Sequence, residues 1–234
     1  MSWVSKLFTS SLGRKLVMSL TGIFLILFLL EHFIGNVMLV TSFDEGGAAF
    51  NKYAHFMKDT MVIRVAEVGL FAGFLFHIVE GIILIVKNKK ARPTGYAVSS
   101  KSKTTSASSK YMGALGIIIL VFFIIHLNNF FRYKYLPTEH TPEHIVVDGV
   151  DMEDMAALAY HDFSNIGLVI FYVIAMAVIG FHLWHGFQSA FQTLGLNHKK
   201  YSPLIQGLGK LYSVLIPLGM ALIPVLIYIM NMQA

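Results

Sequence analysis

The chain has 234 residues and a formal net charge of +5, with 56% hydrophobic and only 13% charged residues. Charged side chains make up about a quarter of an ordinary soluble domain, so a water-soluble globule is excluded and an integral membrane protein is implied. Cysteine is absent, which removes thiolate-held iron–sulfur clusters and thioether-linked haem. The basic excess is modest and sits between apolar runs, so no nucleic-acid partner is expected.

In chain order, Trp3, Val4, Leu7 and Phe8, with Lys6 among them, read as a short interfacial helix. Five apolar segments follow, each long enough to span a hydrocarbon core at about 20 residues: Leu16–Val40, Met61–Val86, Tyr111–Phe131, Phe163–Gln192 and Leu211–Met230. The first is too long for a signal-peptide core and has no small-residue cleavage site after it, so no secretory signal is expected. The fourth has length to spare and should tilt or project. The fifth carries Pro217 and Pro224, which membranes tolerate where neighbouring helices satisfy the freed carbonyls. The serine-rich stretch Ser99–Ser109 reads as a mobile part of the second loop. The expected fold is an all-α integral membrane protein, one domain over residues 1–234.

Charge sets the expected orientation. Lys6, Arg14 and Lys15 precede the first segment, and Lys89, Lys90, Arg92, Lys101, Lys103 and Lys110 fill the second loop without an acid. Lys199, Lys200 and Lys210 follow in the fourth loop. The positive-inside rule puts these stretches in the cytoplasm. The third loop, with Glu139, Glu143, Asp148, Asp151, Glu153 and Asp154, then faces outward.

Four histidines lie inside the apolar segments, one each on the first four: His32, His77, His126 and His182. Ionisable groups in hydrocarbon are costly and mark functional sites, and histidine is an axial ligand of haem iron. At 1.5 Å per residue, His32 lies about 24 Å from the cytoplasmic edge and His126 at a similar height. The second and fourth helices run inward and carry His77 and His182 into the cytoplasmic half. The reading is therefore two bis-histidine b haems in the bundle, His32 with His126 at the outer level and His77 with His182 at the inner one. Gly69, Gly73, His77 and Gly81 share a face, leaving room for a flat macrocycle, although a small-residue packing face explains them too. His185 is the alternative ligand on the fourth helix. His140, His144 and His161 cluster near acids, but their irregular spacing gives a metal site little support.

These residues carry a resemblance. Ser19-Leu-Thr-Gly22, followed after nine residues by His32-Phe-Ile-Gly-Asn36, resembles the first helix of the dihaem cytochrome b subunit of succinate dehydrogenases and fumarate reductases. The stretch from His182 to Gly195 resembles the end of its fourth helix, where the ligand stands four residues before a glycine, here Gly186. That alignment selects His182 over His185. In length, helix number and histidine order the likeness covers the whole chain and is closest to the single-anchor, two-haem class (type B), as in Bacteroidetes-like members.

The resemblance implies a respiratory membrane anchor carrying electrons between an iron–sulfur subunit and membrane quinone, with menaquinone favoured. A flavoprotein subunit holding covalent FAD and the iron–sulfur subunit would dock on the cytoplasmic face of a bacterial inner membrane. Dicarboxylate chemistry would reside on those partners, and family members often form dimers of the whole complex. Haem propionates need donors such as the arginine fork. Arg132 is positioned for the outer haem and Ser19, with Arg14 and Lys15, for the inner. Quinone is expected near the outer haem, with Glu31 and Asn36 as its named contacts among Asn51, His55, Asn128 and Asn129. Glu80, one turn from His77, suits protons or a propionate, whereas Glu31 points about 100° away from His32. Some family members carry a glutamate two residues before the fourth-helix ligand for proton conduction; Gly180 stands there. Rival readings are the dihaem anchor of a hydrogenase or formate dehydrogenase, and a non-redox transporter with histidines along a proton path.

Overall fold

A computed structural model describes residues 9–90, 107–134, 136 and 141–233. The helix expected at Trp3–Phe8, the serine-rich stretch up to residue 106, and Glu139 and His140 lie outside these residues. The described chain forms α1 (Ser11–Thr41), α2 (Ala48–Asp59), α3 (Met61–Lys90) and α4 (Ala107–Phe130). A hairpin of β1 (His144–Val147) and β2 (Val150–Glu153) follows, then α5 (Met155–Asp162), α6 (Ile166–Thr193) and α7 (Ser202–Asn231). Helices α1, α3, α4, α6 and α7 are long and apolar enough to cross a membrane, with mean hydropathy between 2.1 and 2.4. The chain is a multi-pass, all-α membrane bundle.

The expected segments are right in number and place, and their ends are set by local chemistry. Helix α6 starts at Ile166, not Phe163, because the Asn165 side chain accepts from the backbone N–H of Gly167 at 2.9 Å and of Leu168 at 3.3 Å, an N-cap. Helix α7 starts at Ser202, well before Leu211, with a proline in its first turn, where the missing N–H costs nothing. Residues 107–110, read as loop, open α4. Inside α7, Pro217 deprives the Ser213 carbonyl of its helical donor. That carbonyl faces Gly180 of α6, where a Cβ would come within 3.0 Å of it. Gly180 is thus where the two helices meet closely, and a glutamate there would collide with α7.

The loops between spans hold a cap that the sequence reading did not anticipate. Asp148 and Gly149, at φ 51° and 79°, make the two-residue turn of an antiparallel hairpin that pairs His144 with Glu153 and Val147 with Val150. Asn51 of α2 is fully buried. Its amide donates to Asp154 Oδ1 at 2.9 Å and its oxygen accepts from Ala156 N at 2.8 Å, tying α2 to the start of α5. Gly47, at φ 76°, lies so close to α5 that a Cβ would strike Ala156 and stand 2.8 Å from the Tyr160 hydroxyl. Tyr160 in turn donates to Leu39 O at 2.9 Å, pinning α5 onto the end of α1. The best-buried apolar residues, among them Leu39, Phe163, Val169, Tyr172, Ile223 and Ile227, gather at this end.

Helix neighbours define the interior. Helices α1, α3, α4 and α6 form a ring, with α1 against α3, α3 lightly against α4, α4 against α6, and α6 against α1. Helix α7 packs outside it, on α6 and α1. The diagonals of the ring are α1 with α4 and α3 with α6, and neither diagonal pair packs backbone to backbone. The space between them must be filled by side chains or by something else.

Candidate paired-histidine site

Across each diagonal two imidazoles face one another. The His32 and His126 ring centres are 5.7 Å apart with planes at 86°, and those of His77 and His182 are 6.2 Å apart at 68°. These are the two pairs expected from depth along the sequence. The separation between the levels follows from contacts on single helices. Thr21 of α1 touches His77 and lies 11 residues before His32, about 16 Å along a helix. Gly116 of α4 neighbours His182 and lies 10 residues before His126, about 15 Å. Two independent helices thus give one spacing.

Hydrogen bonds orient the rings. Thr21 Oγ1 donates its one proton to Val17 O at 2.8 Å, so at 3.2 Å from His77 Nδ1 it acts as an acceptor. Nδ1 then carries the ring proton and Nε2 keeps its lone pair. His126 Nδ1 lies 3.2 Å from the buried Tyr172 hydroxyl, which also bonds Asn129. Asn36 donates to His32 O at 2.7 Å and stands 3.4 Å from His32 Nδ1. His182 Nδ1 is buried without a hydrogen-bond partner. Phe28 stacks on His32 at 5.3 Å and Phe122 on His126 at 5.6 Å, screening the cap-end pair from water.

This donor set suits a metal macrocycle. With a metal–imidazole bond of about 2 Å and about 1.1 Å from nitrogen to ring centre, two imidazoles that held one metal ion between them would stand about 6 Å apart by centroid. Both pairs are near that value, and neither has a carboxylate inserted between its rings. Among the described residues no three histidine, aspartate or glutamate side chains gather into a metal-binding group. His144 instead meets Asp151 at 2.9 Å and His161 meets Asp162 at 3.6 Å.

The other expected residues divide. Ser19 is buried and its hydroxyl donates to Lys15 O at 2.9 Å. Nearby, Arg14 Nη1 meets the buried Glu80 carboxylate at 3.3 Å, while Arg14 Nε is buried and unpartnered, an open donor at the His77 end. Arg132 donates to Asn128 Oδ1 at 3.2 Å and is exposed. Of the glycines expected beside His77, Gly73 faces Phe24 and Gly81 faces Met18, both on α1, as in helix packing. The glycines beside histidines are Gly22, whose Cβ would be 3.6 Å from His77 Cε1, and Gly116, at 4.0 Å from His182 Cε1. The sequence assigns no role of their own to Thr21, Tyr172 and Tyr53, because their partners lie on other helices; Tyr53 donates to the Glu31 carboxyl. The chain matches no protein-family model, no curated protein and no solved structure.

Proposed function

We propose that this chain is the dihaem cytochrome b membrane subunit of a bacterial succinate:quinone oxidoreductase, working as succinate dehydrogenase or fumarate reductase. The observation that carries the reading is the meeting of four imidazoles as two facing pairs, on the two diagonals of one helix ring. His32 and His126 hold one b haem, and His77 and His182 the other. A haem bound at either pair would supply a one-electron carrier there. The chain's own groups do the rest. Thr21 and Tyr172 hold the ring protons of His77 and His126 away from the metal side, Phe28 and Phe122 exclude water, and the buried Arg14 Nε offers a donor to a carboxylate at the His77 level. Arg132 takes the same part at the other level.

In this reading the cap lies outside the cytoplasmic membrane and the N-terminus inside, so the basic loops meet an iron–sulfur subunit that is itself bound to a FAD flavoprotein. Electrons pass between that partner, the two histidine levels and a quinone, menaquinone being favoured, near the cap end. The iron–sulfur and flavin cofactors belong to the partners. The test is haem content and the reduced-minus-oxidised spectrum of the purified chain, with its co-purifying subunits identified. Two b haems per chain are expected. His32→Ala or His126→Ala should remove one component, and His77→Ala or His182→Ala the other. One haem per chain, or full haem in His182→Ala, overturns the assignment, and a nickel or molybdenum partner overturns the complex.

A further inference from the structure

Beyond Asp162 the sequence has no aspartate or glutamate, while Lys199, Lys200 and Lys210 all lie there. The cations of the α6–α7 half must therefore find their anions elsewhere. Lys199 and Lys200 stand in the exposed turn ahead of α7, where water serves them. Lys210 stands on a spanning helix instead, within α7. Among the described residues it meets no carboxylate, and its ammonium lies 5.9 Å over the Trp184 ring of α6. The Trp184 indole N–H likewise has no hydrogen-bond partner among them. Glu80, the acid of the His77–His182 level, is taken by Arg14 at 3.3 Å. A cation and a donor N–H thus stand side by side with no anion to share.

Depth puts this pair at a membrane edge. Asn231, at the end of α7, is tied to the cap, donating to Tyr160 O at 2.7 Å and to Ser164 Oγ at 3.0 Å. Lys210 lies 21 residues before it, about 32 Å along the helix. Trp184 lies 18 residues past Ile166, which opens α6 at the same end, about 27 Å away. A hydrocarbon core is about 30 Å thick, so both reach the edge remote from the cap, where tryptophan and lysine settle among headgroups. From them two rows run back toward the cap. On α7, Lys210, Val214 and Leu218 share a face at intervals of one turn, and Val214 and Leu218 are 48% and 53% exposed. On α6, Trp184, Phe181 and Ala177 share another, Phe181 being 63% exposed and Ala177 exposed too. The rows flank the line of closest approach, where the Gly180 backbone meets Ser213 O. The result is a shallow apolar furrow with a cation and a donor at its mouth.

We propose that this furrow holds an anionic phospholipid of the leaflet remote from the cap, its phosphate on Lys210 and the Trp184 N–H, its acyl chains along Phe181, Ala177, Val214 and Leu218. An indole N–H only donates and an ammonium only donates, so the two together call for an acceptor that carries charge. The surface beneath them is apolar over the depth of a leaflet, which suits a lipid and not a soluble anion. A net negative headgroup is favoured over a zwitterionic one. The zwitterion brings its own ammonium, and Lys199 and Lys200 add positive potential at the same end. The site does not depend on what the histidines hold. Its consequence is mechanical: the lipid bridges α6 and α7 at the height of His182, two residues before Trp184, and braces the helix that carries that histidine.

The experiment is native mass spectrometry of the intact detergent-solubilised protein, titrated with dioleoylphosphatidylglycerol or with dioleoylphosphatidylcholine. Wild type should retain the phosphatidylglycerol in preference, and its thermal unfolding midpoint should rise with that lipid alone. Loss of a charge-assisted bond in Lys210→Gln should weaken retention about tenfold, whereas Lys210→Arg should keep it. Val214→Trp, which fills the furrow without touching the charge, should also weaken retention, and it keeps the question decidable if Lys210→Gln accumulates poorly. Lys199→Gln combined with Lys200→Gln should leave the preference in place. Equal retention of the two lipids by wild type overturns the site, as does an unchanged preference in either Lys210→Gln or Val214→Trp. A preference lost only in the paired loop variant traces it to general charge and overturns the site as well. Displacement of the lipid by inorganic phosphate overturns the membrane source, since the furrow must hold the chains. Full lipid retention in Lys210→Gln with loss of a co-purifying subunit assigns the lysine to a protein partner instead.

Discussion

Tyr172 offers the sharpest quantitative check on the paired-histidine reading. Its hydroxyl lies 3.2 Å from His126 Nδ1. In the proposed dihaem reading, with iron at Nε2, that contact would be a donation from Nδ1–H to the phenol oxygen, which would make the imidazole a more basic ligand and favour oxidised iron. Removing the acceptor in Tyr172→Phe should therefore raise the midpoint potential of the haem at the His32–His126 level. A neutral hydrogen bond contributes about 0.5–1.5 kcal/mol, and 59 mV corresponds to about 1.4 kcal/mol for one electron. The shift therefore has a ceiling of about 20–60 mV. Packing should be nearly unaffected, because the phenylalanine ring keeps the edge contacts of Tyr172 with Phe122 at 5.1 Å and Phe163 at 5.2 Å. The assay is a redox titration followed in the α-band. Thr21→Val serves as the mirror experiment, since it removes the acceptor from His77 and should raise only the other component. Two unmoved potentials, or a Tyr172→Phe shift confined to the other component, would falsify the assignment of His126 as a ligand through Nε2.

Three further outcomes follow from the fold. Asn51→Ala strands the buried Ala156 N–H and takes a donor from Asp154, at about 1–3 kcal/mol per unsatisfied buried group; the hairpin should become protease-sensitive while haem at the His77–His182 level is retained. Gly180→Ala forces a Cβ to 3.0 Å from Ser213 O, an overpacking cost of about 1–3 kcal/mol readable as lower thermal stability, and Gly180→Glu should accumulate poorly. Burial first, and then Asp154, raise the Tyr160 phenol from its ordinary 10.0 to about 12, and burial with Glu153 pushes the Tyr133 phenol up as well. A raised phenol favours the folded state below the unfolded value, so cap stability should hold up to pH 10 and fall between there and pH 12. Tyr160→Phe should show a smaller loss in that window, measured by thermal unfolding at each pH.

Where the sequence spoke clearly, one-dimensional physics was enough. A chain crossing a layer of fixed thickness in alternating directions turns residue number into depth, at 1.5 Å per residue. His32 and His126 therefore had to share one level, and His77 and His182 another, before any packing was known. The cap was partly legible. The Asp148-Gly149 pair between valines is a strong hairpin signal, although the acids of this stretch make it look like a charged loop. The sequence had no means to reveal α2 docking on α5 through Asn51, because a buried amide looks the same in a sequence as an exposed one.

By itself, then, the sequence determined a membrane class, five spans and the heights of four imidazoles, since composition and helical rise act along the chain. Only the tertiary structure decided which helices are diagonal, that Thr21 and Tyr172 back the histidines, and that Tyr53 reaches Glu31 over the bare backbone of Gly35. Those facts depend on how each helix is rotated about its axis. A helix that is apolar all round, as membrane spans are, carries little sequence record of that rotation, and neighbouring helices fix it by the fit of small residues against large ones.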